Sequence, residues 1–123
     1  MSALIRWAKS YGMRVSGSDG AYSKNVGELI EEGFDVYIGT DEKRIDGADI
    51  VVYTSAVSDD NPELFRARAL KKTVIERHDF LGLLSDNFKK VIAVSGTHGK
   101  TTVTSLIAAI LKKSGEKFTA HIG

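Results

Sequence analysis

The chain of 123 residues contains no cysteine, one proline and one tryptophan. Without cysteine there is no disulfide framework, no thiolate metal ligand and no thiol nucleophile. A single proline and no internal repeat exclude proline-rich linkers and collagen-like arrays. No apolar run approaches the roughly 20 residues that a membrane-spanning helix needs. Arg6, Lys9 and Arg14 interrupt the first apolar region, so no signal-peptide layout is expected there. One-sided charge is missing too: 17 Lys and Arg against 16 Asp and Glu leave a net charge of +1. That gives no broad basic field for nucleic acid or an anionic membrane. What is present, 42% hydrophobic and 27% charged residues, is an ordinary globular balance. The length suits one domain or parts of two, and the cytoplasm is the expected compartment.

Helix and strand signals alternate along the chain. Ser2 is expected to cap a helix that runs to about Tyr11 and stops at Gly12. Met13 to Gly17 suits a short strand, with a loop from Ser18 to Tyr22. Ser23 caps a second helix whose buried face carries Val26, Leu29 and Ile30, ended by Gly33. Phe34 to Ile38 alternates as a strand does, and Ile50 to Tyr53 suits a strand buried on both faces. Asn61 and Pro62 open a helix, cap followed by proline at the first turn, with Leu64, Ala67 and Leu70 inward. Thr73 to Glu76 is a further strand, followed by a short helix from Phe80 to Leu84. Val91 to Val94 suits a strand, a helix then extends to about Ser114, and a last strand is expected from Lys117 to Ile122. Such alternation implies an α/β fold of parallel βαβ units.

Ligands on parallel sheets bind at the carboxyl ends of the strands. Asp19 falls there and is placed to bond a ribose. Ser55, in the stretch Thr54 to Ser58, offers a hydroxyl donor, and Arg77 could pair with a diphosphate. Each has a plainer reading: Asp19 as a turn residue, Ser55 as a loop residue, Arg77 as a surface ion pair, Asn61 as a helix cap. Joint placement at strand ends favours the ligand reading. His78, His98 and His121 lack metal-ligand spacing. Trp7 suits packing, and Lys112 and Lys113 suit a helix C-terminus.

The densest signal is Val91-Ile92-Ala93-Val94-Ser95-Gly96-Thr97-His98-Gly99-Lys100-Thr101-Thr102. The order is apolar run, glycine-bracketed turn, Lys-Thr-Thr, helix. Glycines let the backbone approach an anion, and a helix N-terminus favours negative charge. Lys100 would reach the terminal phosphates of ATP, and the Thr101 hydroxyl would ligate Mg²⁺. The general P-loop has an earlier glycine with four residues between the two, a position held here by Val94. The loop Gly96 to Gly99 is therefore a shorter form. A plain strand-to-helix turn with an incidental lysine is the alternative.

VIAVS followed by GTHGKTT resembles the ATP loop of the Mur ligases, which build the peptide stem of cell-wall precursors. SGSD, SAVSDDNPE and VIERHDFL resemble the UDP-binding domain of the alanine-adding branch of that family, so the likeness covers nearly the whole chain. It implies an α/β architecture: a Rossmann-like, mostly parallel sheet lacking its first strand, followed by the strand, P-loop and helix of a second α/β domain. It implies that residues 1–88 are most of a UDP-substrate-binding domain and that 89–123 open a P-loop ATPase domain. Asp19, Ser55, Ala56, Asn61 and Arg77 become UDP-substrate residues by resemblance. Gly96, Thr97, His98, Gly99, Lys100, Thr101 and Thr102 become the ATP site, with Mg²⁺ on Thr101. The implied reaction activates a muramyl carboxylate as an acyl phosphate at the expense of ATP. The amine of L-alanine then displaces phosphate, with UDP-N-acetylmuramate as the other substrate.

The family pattern reaches the position of Met1 only after a first strand and a Gly-rich loop. Its ATPase and amino-acid-binding domains continue beyond the position of Gly123. The expectation is a piece of a ligase, inactive alone, with Met1 an internal methionine or a misassigned start and the remainder of the ligase as its partner. Three rivals stand beside this reading: a ligase recycling murein tripeptide, a stand-alone nucleotide-binding module, and an unrelated P-loop ATPase.

Overall fold

The computed structural model describes residues 1–122. The chain divides into two compact units, Met1–Asn87 and the residues from Phe88 on.

The first unit is α/β. It runs α1 (Ser2–Ser10), β1 (Ser16–Asp19), α2 (Lys24–Glu31), β2 (Asp35–Ile38), a 3₁₀ turn (Glu42–Gly47), β3 (Ile50–Tyr53), α3 (Pro62–Ala69), β4 (Thr73–Glu76) and α4 (Arg77–Ser85). All pairing is parallel. Ser16 lies opposite Asp35 and Asp19 opposite Ile38, while Ile50 lies opposite Thr73 and Tyr53 opposite Glu76. The mostly parallel sheet lacking its first strand is present as two two-stranded pieces, β1–β2 and β3–β4. No strand among the described residues is hydrogen-bonded between β1 and β3, so no ladder joins the pairs. In both pairs the strands end level, which sets Asp19, Tyr53 and Glu76 at carboxyl ends.

Capping explains the helix boundaries. The Ser23 hydroxyl accepts from the Val26 N–H at 3.3 Å and starts α2. Asn61 Oδ1 accepts from the N–H groups of Glu63 (2.9 Å) and Leu64 (3.3 Å) and starts α3. Asp41 caps the 3₁₀ turn through Lys43 N–H, an element that the sequence reading missed. Met1, not Ser2, is the N-cap of α1, and no side chain bonds there. Gly12 and Gly33 end their helices at positive φ.

Leu4, Ala8, Phe80 and Leu84 form a buried cluster, with Trp7, Val15, Val52, Ile75 and Leu81 packed against it. Thus α1 and α4 close over β3 and β4. Val26 and Leu29 of α2 and Leu64 and Ala67 of α3 are buried as expected. Ile30 and Leu70 are exposed, because each sits near its helix C-terminus beyond the packed stripe. Strand β3 is not buried on both faces: Ile50 is exposed and Val51 to Tyr53 are half-buried. The first strand begins at Ser16 rather than Met13, whose N–H instead bonds Ala8 O at the end of α1. It also takes Ser18 and Asp19 out of the expected loop. Helix α4 starts at Arg77, three residues before the expected start.

In the second unit, Gly99 leads into α5 (Lys100–Lys113). A Schellman closure ends it: Gly115 N–H bonds Lys112 O and Glu116 N–H bonds Leu111 O, with Gly115 at φ 78°. The expected strands at 91–94 and 117–122 do not form. A strand needs a partner for its N–H and C=O groups, and neither segment joins a strand ladder among the described residues. Val91 and Ile92 are exposed accordingly.

Candidate functional site

Carboxyl ends of β3 and β4 open into a cavity of about 240 Å³ lined by Thr54, Ser55, Glu76, Arg77, His78 and Leu81. Arg77 stands there because β4 passes directly into α4, which makes it the first helical residue. Ser55 stands there because Val57 N–H bonds Thr54 O at 2.9 Å and folds the chain sharply after β3. A guanidinium and two hydroxyls stand beside the Glu76 carboxylate in this lining, and the guanidinium and hydroxyls can bond an anionic, hydrogen-bonding group. His78 Nδ1 lies 3.5 Å from Glu76 Oε2, and its Nε2 lies 3.2 Å from Asp79 Oδ1.

Two of the five residues expected at a UDP site, Ser55 and Arg77, meet in this cavity; Asp19, Ala56 and Asn61 do not line it. Ala56 lies beside Ser55 in the same exposed turn. Asp19 ends β1, with its carboxylate exposed and accepting from Ala21 N–H at 3.2 Å. Its backbone oxygen accepts from Gly39 N–H at 2.8 Å, which ties the ends of β1 and β2. Asn61 has its side-chain oxygen committed to the α3 cap.

Sequence reasoning missed Glu63. Its side chain is buried in the first turn of α3. Oε1 accepts from Tyr37 OH at 2.6 Å and Asp41 N–H at 2.8 Å, and Oε2 accepts from Ser18 Oγ at 2.8 Å. Burial, then the bond to Glu63, pushes the Tyr37 phenol up to about 12. The Arg44 guanidinium lies 4.3 Å from the Tyr37 ring centre. Glu76 and Leu81 also line the cavity without having been expected there, and His78 was weighed only as a metal ligand. Their strand-end positions were the available signal.

The loop of the second unit is shaped by its glycines. Gly96 has φ 152° and Gly99 has φ 77°, both in territory that side chains avoid. A Cβ on Gly99 would meet nothing within 4 Å, so the conformation itself requires glycine there. Gly99 is the N-cap of α5 and no side chain caps the helix. The first-turn residues Lys100, Thr101 and Thr102 are exposed, as are Thr97 and His98. Lys100 Nζ donates to Gly96 O at 2.5 Å, which folds the ammonium back over the loop. A cation above a glycine turn at an uncapped helix start has the chemistry of a phosphate cradle, so the residues fit ATP. The Thr101 hydroxyl fits Mg²⁺ as one ligand among phosphate oxygens. Among the described residues there is no group of three or more His, Cys, Asp or Glu able to hold a metal.

A family model described as "Mur ligase family, catalytic domain" matches residues 1–89. The chain belongs to the Mur ligase family. It is 49% identical over all 123 residues to a UDP-N-acetylmuramate–L-alanine ligase of Caldicellulosiruptor bescii, and 52% to that of Caldicellulosiruptor saccharolyticus. The chain spans about 27% of the length of each. Among solved structures, UDP-N-acetylmuramate-alanine ligase from Thermotoga maritima matches 94% of the chain and 27% of its own, with TM-score 0.85 and 34% identity. A UDP-N-acetylmuramate:L-alanyl-gamma-D-glutamyl-meso-diaminopimelate ligase from Neisseria meningitides matches 94% and 36%, with TM-score 0.81 and 32% identity. Membership in this family removes the unrelated P-loop ATPase. No helix among the described residues is long and apolar enough to cross a membrane.

Proposed function

We propose that this chain is the nucleotide-handling part of a cytoplasmic, ATP-dependent ligase that joins L-alanine to UDP-N-acetylmuramate in peptidoglycan precursor synthesis. Residues 1–88 serve the UDP-substrate, and 89–123 open the P-loop ATPase domain. One observation carries the reading: identity to relatives of that name runs through all 123 residues, strand ends and loop together.

Each residue's part follows from its chemistry. Arg77 and Ser55 take the diphosphate in the cavity at the ends of β3 and β4, with Ala56 giving close backbone approach. The exposed Asp19 carboxylate takes a ribose hydroxyl. Asn61 contributes through its side-chain nitrogen, since its oxygen caps α3. Lys100 neutralises phosphate charge once it swings from Gly96 O. Gly96, Thr97, His98, Gly99 and Thr102 frame the phosphates through the backbone, and Thr101 offers its hydroxyl to Mg²⁺. MgATP, when bound, supplies the phosphoryl group that activates the muramyl carboxylate; positioning and charge neutralisation are what these residues contribute. The isolated chain is expected to release no phosphate above background, the remaining ligase chain being its needed partner.

The test replaces the matching segment of the Caldicellulosiruptor bescii ligase with this chain. Phosphate release is then measured with ATP, Mg²⁺, UDP-N-acetylmuramate and L-alanine. Alanine-dependent release supports the reading, and a folded chimera without it contradicts the reading. The Neisseria meningitides structure favours a second reading, ligation of a tripeptide rather than L-alanine. Tripeptide-dependent release by the same chimera would select it. The names of both relatives include UDP-N-acetylmuramate, so the UDP-sugar proposal is common to both readings. Turnover by the chain alone would overturn its predicted inactivity.

A further inference from the structure

The buried Glu63 carboxylate gathers three donors from distant parts of the chain. Ser18 lies 45 residues away, Tyr37 lies 26 away and Asp41 lies 22 away. Carboxylates are rarely buried unless paired or bonded. No cation among the described residues is bonded to this one; hydroxyl and amide donors satisfy it. A glutamate needed only to complement the α3 dipole could stay exposed in the same first turn. The arrangement is instead directed at the strand ends. Ser18 immediately precedes Asp19, and Tyr37 and Asp41 bracket Gly39, whose N–H bonds Asp19 O at 2.8 Å. Through Glu63 N–H on Asn61 Oδ1, the same residue also fixes the Asn61 side chain.

We propose that Glu63 is a positioning residue for the nucleotide site: it clamps the end of β1 against the turn after β2 and so aims the Asp19 carboxylate at the ligand. This rests on the reading of Asp19 as a UDP-substrate residue. Glu63 does not touch the ligand; it acts through Ser18, Tyr37 and Asp41. Glu63→Ala removes the acceptor and leaves three donors facing it. Glu63→Gln keeps Oε1 for Tyr37 and Asp41 and presents an N–H₂ to Ser18 Oγ, which can turn to accept. The conservative variant therefore restores part of the clamp.

Calorimetric titration of UDP-N-acetylmuramate is combined with amide hydrogen exchange on the full chain, for wild type, Glu63→Ala and Glu63→Gln. Far-UV circular dichroism selects conditions in which each stays folded, and Ser18→Ala, which deletes a single spoke, serves if Glu63→Ala does not fold. The expected result is affinity lower by about tenfold or more in Glu63→Ala, the scale of lost bonds to a charged group. Glu63→Gln falls between, and exchange accelerates at residues 18–21 and 39–41 with α1 and α4 unchanged. If the wild type binds and the folded variants bind equally well, the positioning role is overturned and the UDP reading stands. If the wild type does not bind, the UDP reading and this role fail together, and exchange then reports only a structural clamp. Accelerated exchange spread evenly over the first unit also overturns the proposal, because it marks general destabilisation.

Discussion

Gly99→Ala isolates what backbone conformation contributes to the proposed phosphate loop. Gly99 sits at φ 77°, and an added Cβ would have open space around it. No clash contributes, so the cost is that of placing an alanine in left-handed territory, about 1–2 kcal/mol. The loop then relaxes toward other conformations, and the binding-competent fraction falls. Apparent affinity falls by the same factor, about 5- to 30-fold for that energy. Asparagine tolerates the left-handed region better than alanine, so Gly99→Asn should recover most of the loss. Gly96→Ala, at φ 152° with His98 O 3.6 Å from the new Cβ, lies in a region nearly confined to glycine. It should cost about 1–3 kcal/mol with no rescue by asparagine. The assay is titration of MgATP into the chain, with helix content checked by circular dichroism. Unchanged affinity in Gly99→Ala would refute the reasoning. So would equal losses in Gly99→Ala and Gly99→Asn, which would make ligand crowding, not φ, the reason for glycine.

Leu4 is only 1% exposed and packs with Ala8, Phe80 and Leu84. Leu4→Ala should lower the stability of the first unit by about 2–5 kcal/mol, read by urea unfolding of the fluorescence of Trp7, the only tryptophan; an unmoved midpoint contradicts the assigned core. Tyr37 is raised from 10.0 to about 12 in the folded chain, so the fold favours its neutral phenol. Its contribution is complete below pH 10 and is lost as pH rises from there through about 12. Tyr37→Phe should remove that part of the alkaline decline; an identical decline in both proteins counts against the Glu63 bond.

What could be read in the sequence was local. Ser23, Asn61, Gly12, Gly33 and Gly115 mark their helix boundaries by chemistry that needs only neighbouring residues. The loop proposed for phosphate stood out for the same reason: its glycines, lysine and threonines fall within seven consecutive positions. That Ser55 and Arg77 follow strand ends was legible, because β3 and β4 announce themselves as apolar runs. The illegible parts depend on distant partners. Glu63 looks like an ordinary first-turn acid until Ser18 and Tyr37 fold onto it. Val91 to Val94 looks like a strand, yet its backbone finds no ladder among the described residues. Ile30 and Leu70 fit an apolar period but lie past the stripe that packs. Alternation implied parallel βαβ units, and it does not say which strand edges join.

The proposed UDP-sugar site is tested most directly by titrating UDP-N-acetylmuramate into the chain and its Arg77→Ala variant. Saturable one-to-one binding is predicted for the wild type. A loss of about tenfold or more is predicted on removal of the guanidinium, in line with charge-assisted bonds to a diphosphate. Absence of wild-type binding, or equal affinity in Arg77→Ala, would contradict the assignment of the cavity at the ends of β3 and β4.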